Sequence, residues 1–121
     1  MKDKKIVALY IRQGDGDGKV KALTIKKQKS ELHQLCREKG YTIYKVYCDE
    51  WSNGANYNRT GLTELLKDLN DKKFDTIVTY SRDRLMTGLF NVKPFFEMLN
   101  SYNCNIETYL SFIRSKNNPN E

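Results

Sequence analysis

The sequence predicts an α/β fold, a mainly parallel sheet of about four strands with helices on both faces. Three observations carry that expectation. Short apolar or β-branched runs of strand length recur along the chain. Stripes of apolar residues at i, i+3, i+4 and i+7 separate them. The two patterns alternate strictly as β-α-β-α-β-α-β with short links, the order that lays parallel strands side by side beneath crossover helices.

Ile6 to Ile11 (IVALYI) is a continuous apolar run that suits a strand buried on both faces. The stretch after it, RQGDGDGKVKAL, alternates glycine with aspartate and has no periodicity, so an exposed loop is expected there. Ile25, Gln28, Leu32, Leu35 and Cys36 then share one helical stripe, and Gly40 stands where a C-terminal cap belongs. Tyr41 to Tyr47 (YTIYKVY) is dense in aromatic and β-branched residues and makes a second strand, followed by a long turn-like loop, DEWSNGANYNRTG. Leu62, Leu65, Leu66 and Leu69 mark a second helix, and Phe74 to Tyr80 (FDTIVTY) a third strand. Val92, Phe95, Phe96 and Leu99 repeat the helical stripe, with Pro94 tolerable in the first turn. Ile106 to Phe112 (IETYLSF) supplies a fourth strand. The result is one domain over residues 1–113 with a polar tail, 114–121, expected to fray.

Composition sets the class. A chain of 121 residues with 39% apolar and 30% charged residues is long enough to bury a core and too apolar to be disordered. No apolar run approaches the roughly 20 residues that cross a bilayer, and the start carries no small-residue cleavage site, so a cytoplasmic location is expected. Cys36, Cys48 and Cys104 are widely spaced, lack a CxxC pair and have only His33 as a companion ligand. Neither a disulfide framework nor a metal site is expected. The formal charge of +6 favours a polyanionic partner without identifying one.

The glycine-rich loop resembles a dinucleotide fingerprint only superficially. Its third glycine comes one residue early, the helix begins several residues later, and Asp15 and Asp17 would repel a pyrophosphate. A calcium loop fails because Lys19 and Lys26 stand where carboxylates belong. No cofactor is therefore expected. In a parallel α/β sheet, ligands sit beyond the carboxyl ends of the strands. The loops in that position begin with Arg12, with Asp49, and with Ser81, Arg82, Asp83 and Arg84. Arg12, Arg59 and Arg84 with Asp83 form the strongest set, since guanidinium groups fork onto phosphate oxygens. Surface ion pairing between Asp83 and its neighbouring arginines is the competing reading.

The runs ALYIR, TIKKQ, DEWSNGANYNRTGL and FDTIVTYSRDRL, in that order and spacing, resemble the resolvase domain of serine site-specific recombinases, especially the large integrase and conjugative-transposon branch. The resemblance covers roughly Ile6 to Phe112. In that family the first strand ends in Tyr-x-Arg-x-Ser, the first helix carries a glutamine, the second loop reads Asp-x-x-x-Ser-Gly and then Arg-Pro-Gly-Leu, and the third strand leads into Asp-Arg-Leu-x-Arg. The resemblance implies that Arg12 is the phosphate-binding arginine beside the nucleophile, that Gln28 is the first-helix glutamine and that Arg59 is the arginine of the second loop. It implies that Arg84 contacts the scissile phosphate while Asp83 assists proton transfer or positioning. Sites named this way are catalytic in kind.

Two positions depart from the pattern. Gly14 stands where the family places its serine, and Thr87 where it places the last arginine of the third motif. The family reaction joins the serine oxygen to a DNA phosphate, and glycine offers no oxygen. Loss of a phosphate-stabilising donor costs about 10²–10³ in rate by itself. Ser52, Ser81 and Thr24 are the nearby hydroxyls, and the sequence shows no base and orienting group around any of them. Asn53 and Thr60 replace a family serine and proline. The expectation is a catalytically silent resolvase-like domain, with DNA as partner directly or through an active recombinase, and a homodimer or hetero-assembly as its state. The alternatives are a phosphate- or nucleic-acid-binding module and a dimerisation module. Family members continue into a long dimer-forming helix and a separate DNA-binding domain, so sequence-specific recognition is expected to come from a partner.

Overall fold

The structure, a computed structural model, describes residues 5–13, 24–50, 60–86 and 92–117. The chain runs β1 (Ile6–Gln13), α1 (Ile25–Lys39), β2 (Thr42–Glu50), α2 (Thr60–Asn70), β3 (Thr76–Thr79), α3 (Arg82–Met86), α4 (Val92–Ser101), β4 (Asn105–Thr108) and α5 (Tyr109–Asn117). The four strands form one sheet in the order β2-β1-β3-β4, and all three pairings are parallel. This is the predicted architecture.

Side-chain alternation along β1 divides the core in two. Val7, Leu9 and Ile11 pack with Leu32, Leu35 and Cys36 of α1 and with Tyr109 and Phe112 of α5. Ala8 and Tyr10 point the other way, onto Leu62, Leu65 and Leu69 of α2 and Phe95 and Leu99 of α4. Because β1 is central and covered on both sides, its apolar run is continuous rather than alternating with polar residues.

Helix α1 shows how local chemistry sets an element's ends. The Thr24 hydroxyl accepts from the Lys27 amide at 3.1 Å, an N-cap that satisfies a first-turn donor. At the other end Gly40 adopts φ 72°, and the Gly40 and Tyr41 amides donate to the carbonyls of Arg37 and Cys36. Glycine reaches that left-handed conformation at no steric cost.

Three expectations change. The first two strands run further than expected, to Gln13 and Glu50, so Arg12 and Asp49 are strand residues in register with each other rather than loop residues. The run Ser81 to Met86 contains a short helix, α3, whose five residues are too few to show periodicity. The expected fourth strand, Ile106–Phe112, is a strand only to Thr108. There the Thr108 hydroxyl accepts from the Ser111 amide at 3.2 Å and caps α5. Tyr109 and Phe112, at i and i+3, then bury one helical face. β-Branched and aromatic composition favoured strand, and tertiary packing overrode it. Arg114 to Asn117, assigned to the tail, belong to this helix. Among the described residues no helix is long and apolar enough to cross a membrane.

Candidate functional site

From β1 the chain leaves toward β2 by way of α1 on one face, and from β3 it leaves toward β4 by way of α4 on the other. The crevice between the carboxyl ends of β1 and β3 is therefore the topological switch point, where an open α/β sheet presents its ligand site. Arg12 lies one residue from the end of β1 on one side of it, and α3 follows β3 on the other.

The backbone carbonyl of Arg12 is the hub of the crevice. Gln28 Nε2, from the first turn of α1, donates to it at 3.0 Å, and Arg84 Nη1, from α3, donates to it at 2.9 Å. One peptide oxygen thus ties the first strand, the first helix and the short helix after the third strand. Arg12 and Arg84 are each only 6% exposed and Gln28 is fully buried. A phosphate admitted beside two such guanidinium groups would meet little solvent screening. Gln28 spends its amide on the strand end, so its geometry is that of a positioning residue. Asp83 differs, with a side chain 61% exposed, and its carboxylate lies 4.0 Å from Arg84 Nε. The surface ion pair weighed from sequence is thus present beside the convergence of Arg12 and Arg84.

A second set of bonds holds the strand ends to one another. Thr79 Oγ1 donates to the Tyr10 carbonyl at 2.9 Å, and Tyr10 Oη donates to Asp49 Oδ2 at 2.7 Å. The buried Asp49 carboxylate also accepts from the amides of Gly61 (2.7 Å) and Leu62 (2.9 Å) in the first turn of α2. A carboxylate at a helix N-terminus satisfies orphan donors and complements the helix dipole. From sequence Asp49 stood only as a polar rim residue. The available signal was that α2 opens with no acidic residue in its first turn, so its counter-charge comes from elsewhere. Gln13 was missed altogether. Its Oε1 accepts from the Ile25 amide at 3.2 Å and joins the end of β1 to the start of α1.

Of the residues singled out from sequence, Arg12, Gln28, Asp83 and Arg84 gather at this crevice. Gly14, Arg59 and Thr87 lie outside the described residues, as do Ser52, Asn53 and the GDGDG loop. Three described hydroxyls near the crevice are committed. Thr24 caps α1, the Tyr10 hydroxyl is held by Asp49, and Ser81 donates to Asp83. The sequence shows no base with an orienting group around Ser81, and the structure sets the Asp83 carboxylate against its hydroxyl. Ser81 also accepts the Arg84 amide at its carbonyl, at 3.1 Å, so it stands as the cap of α3. The buried thiols offer no substitute nucleophile, since burial first, with nearby Glu107 and Asp75 respectively, pushes Cys36 and Cys104 up to about 11, and desolvation raises the exposed Cys48 as well. Among the described residues no group of three or more His, Cys, Asp and Glu side chains is placed to hold a metal.

The sequence finds no match among curated proteins. Solved structures do resemble it. The C-terminal catalytic domain of ISC1926 TnpA, an IS607-like serine recombinase, superimposes with a TM-score of 0.69 at 26% identity over 85% of this chain and 68% of that one. The N-terminal catalytic domain of TP901-1 integrase gives 0.69 at 25% identity over 88% and 78%. A resolvase family site-specific recombinase from Streptococcus pneumoniae gives 0.70 over 89% and 74%, and at 19% identity it shows the shared fold. The family model described as the resolvase N-terminal domain matches residues 7–119, nearly the whole chain. A parallel sheet with its arginines at the switch point is therefore explained by descent: this chain belongs to the resolvase family, as a resolvase N-terminal domain.

Proposed function

We propose that this resolvase domain binds a DNA phosphate at the crevice of Arg12, Arg84 and Asp83 without forming the covalent bond to DNA, and that it acts in recombination through assembly with an active recombinase. The observation that carries the proposal is the Arg12 hub. The buried Arg84 donates to the backbone carbonyl of the buried Arg12 at the end of β1, two residues before Gly14 stands in the place of the family's serine. A phosphate cradle without an attacking oxygen binds and does not cut. The motif resemblance adds Arg59 as a further phosphate ligand on this reading and makes Thr87 a lost donor, both outside the described residues. Placement in the large integrase and conjugative-transposon branch is supported by the motif spacing and by the 25% likeness to an integrase catalytic domain. A mobile-element context, a cytoplasmic location and a homodimeric or mixed assembly belong to the same proposal.

Ser81 is the specific rival for chemistry, because its hydroxyl donates to Asp83. That carboxylate is mostly exposed and solvated. An open, water-exposed carboxylate lacks the enclosed setting in which a positioned base activates a serine hydroxyl. The contact also fits a helix cap, which needs no catalytic role. Incubation with supercoiled DNA carrying candidate sites, followed by denaturing electrophoresis, distinguishes the readings. No covalent protein–DNA adduct is expected. An adduct ends the idea of silence, and its disappearance in Ser81→Ala assigns the nucleophile.

A further inference from the structure

We propose that the cleft bounded by α5, the edge strand β4 and the outer side of α3 is a second anion site that takes a phosphomonoester dianion. The inference does not rest on the recombinase reading, because none of its residues belongs to the Arg12 crevice.

The cleft has a volume of about 530 Å³ and is lined by Lys39, Arg82 and Lys116 together with the hydroxyls of Thr108, Ser111 and Ser115. That size lies within the range of small-ligand pockets, roughly 300–1,000 Å³. Helix α3 separates two cationic places. Residues two apart on a helix point to nearly opposite sides. Arg84 accordingly turns inward to the Arg12 carbonyl, while Arg82 lines the cleft. Arg82 is exposed and has no ion-pair partner among the described residues. Two further cations are organised about one ring: Lys39 Nζ lies 5.9 Å and Lys116 Nζ 5.4 Å from the centroid of the buried Phe112, which lines the cleft between them.

Charge balance selects the ligand. Glu107 is the one carboxylate in the lining, and it is already engaged by Tyr41 Oη at 2.6 Å, Lys39 Nζ at 2.9 Å and Lys5 Nζ at 3.5 Å. Lys116 is shared with Glu38 at 3.0 Å. Counting these outer partners, Lys5, Lys39, Arg82 and Lys116 face Glu38 and Glu107, an excess of two positive charges. A phosphomonoester, carrying close to two negative charges at pH 7, matches this better than the single charge of an internal phosphodiester. Ser111 and Ser115 are exposed one turn apart on α5, where their hydroxyls can donate to the same oxygens. The source of such a group is either a free phosphorylated metabolite or the 5′ end of a nucleic-acid strand.

The test is a titration of ¹⁵N-labelled protein followed by NMR, using inorganic phosphate, a 5′-phosphorylated oligonucleotide and the same oligonucleotide with a 5′-hydroxyl. Saturable shifts at Arg82, Ser111, Ser115 and Lys116 are expected, with a Kd raised at least about tenfold in the Arg82→Ala/Lys116→Ala double variant. Both replaced side chains are exposed, and a thermal melt confirms that the variant folds. Tighter binding of the 5′-phosphorylated strand than of phosphate assigns the source to a strand end. Binding of phosphate with neither oligonucleotide engaged assigns it to a small metabolite. The proposal is overturned if shifts grow linearly without saturation or if both strands bind and the 5′-hydroxyl strand does so as tightly as its phosphorylated twin. It is equally overturned if removing two remote lysines, Lys67→Ala/Lys72→Ala, weakens binding as much as the double variant.

Discussion

At Gly61 the chain has no room for a side chain. A Cβ built there falls 2.5 Å from the Cys48 carbonyl oxygen and 2.9 Å from Asp49 Oδ1, both too close for any real contact. The close approach is what lets the Gly61 and Leu62 amides reach the Asp49 carboxylate. Gly61→Ala is therefore expected to push α2 off the end of β2 and to lower stability by about 2 kcal/mol, read by urea denaturation. A loss below roughly 0.5 kcal/mol would mean that α2 shifts freely, and the Asp49 cap would then not be what seats it. In the sequence this glycine is visible only as part of Arg-Thr-Gly-Leu. Which atom it must avoid depends on Cys48 and Asp49 in the preceding strand, and no local pattern encodes that. The arginines are the opposite case. Arg12 and Arg84 were legible as strand-end arginines by residue type and position, whereas the bond from one to the carbonyl of the other was not.

Helix α1 and strand β4 are joined by the Glu107 cluster, in which one β4 carboxylate accepts from Tyr41 beyond the end of α1 and from Lys39 in its last turn. Burial pushes the Glu107 carboxyl up, but the hydrogen bonds from Tyr41 and Lys39 and the charges of Lys39 and Lys5 outweigh it and hold the group below its ordinary value. A carboxylate depressed in the folded state contributes stability above its unfolded pKa, and that contribution fades as pH falls through the folded value. Thermal melts should accordingly show the wild type losing its advantage over Glu107→Gln as pH drops from 7 to below the ordinary 4.5. A constant difference across that range would show that the Glu107 charge contributes nothing. Elements with strong periodicity, α1, α2 and α4, were legible because burying a stripe is a local property of spacing. Short α3 and the β4 to α5 transition were not. Five residues carry no period, and Ile-Glu-Thr-Tyr-Leu suits either state until Tyr109 and Phe112 find α1 and β1 to pack on.

For the molecule as a whole, scaffold and chemistry are separable. On the proposed reading, the parallel sheet and the Arg12 hub are retained while a nucleophile at Gly14 and a phosphate donor at Thr87 are what the domain lacks. Restoring both, Gly14→Ser with Thr87→Arg, in a fusion to a DNA-targeting domain is expected to produce covalent protein–DNA adducts where the unaltered domain produces none. Failure of a folded, DNA-binding double variant to form adducts would show that more than those two groups has been lost.

By itself the sequence determined the fold class, the strand order's parallel character, the alternation of helices across the sheet and the residue types at the strand ends. These follow from periodicity and polarity, which are local and additive along the chain. Only the tertiary structure decided that Arg12 and Asp49 are held inside strands, that Gln28 positions the strand end, that Ser81 meets Asp83, and that Arg82 and Arg84 face different cavities from one helix. Each of those depends on where a second, distant segment comes to rest. Burial and hydrogen bonding between such segments are properties of the packed whole, and packing is settled only when every element has its neighbours.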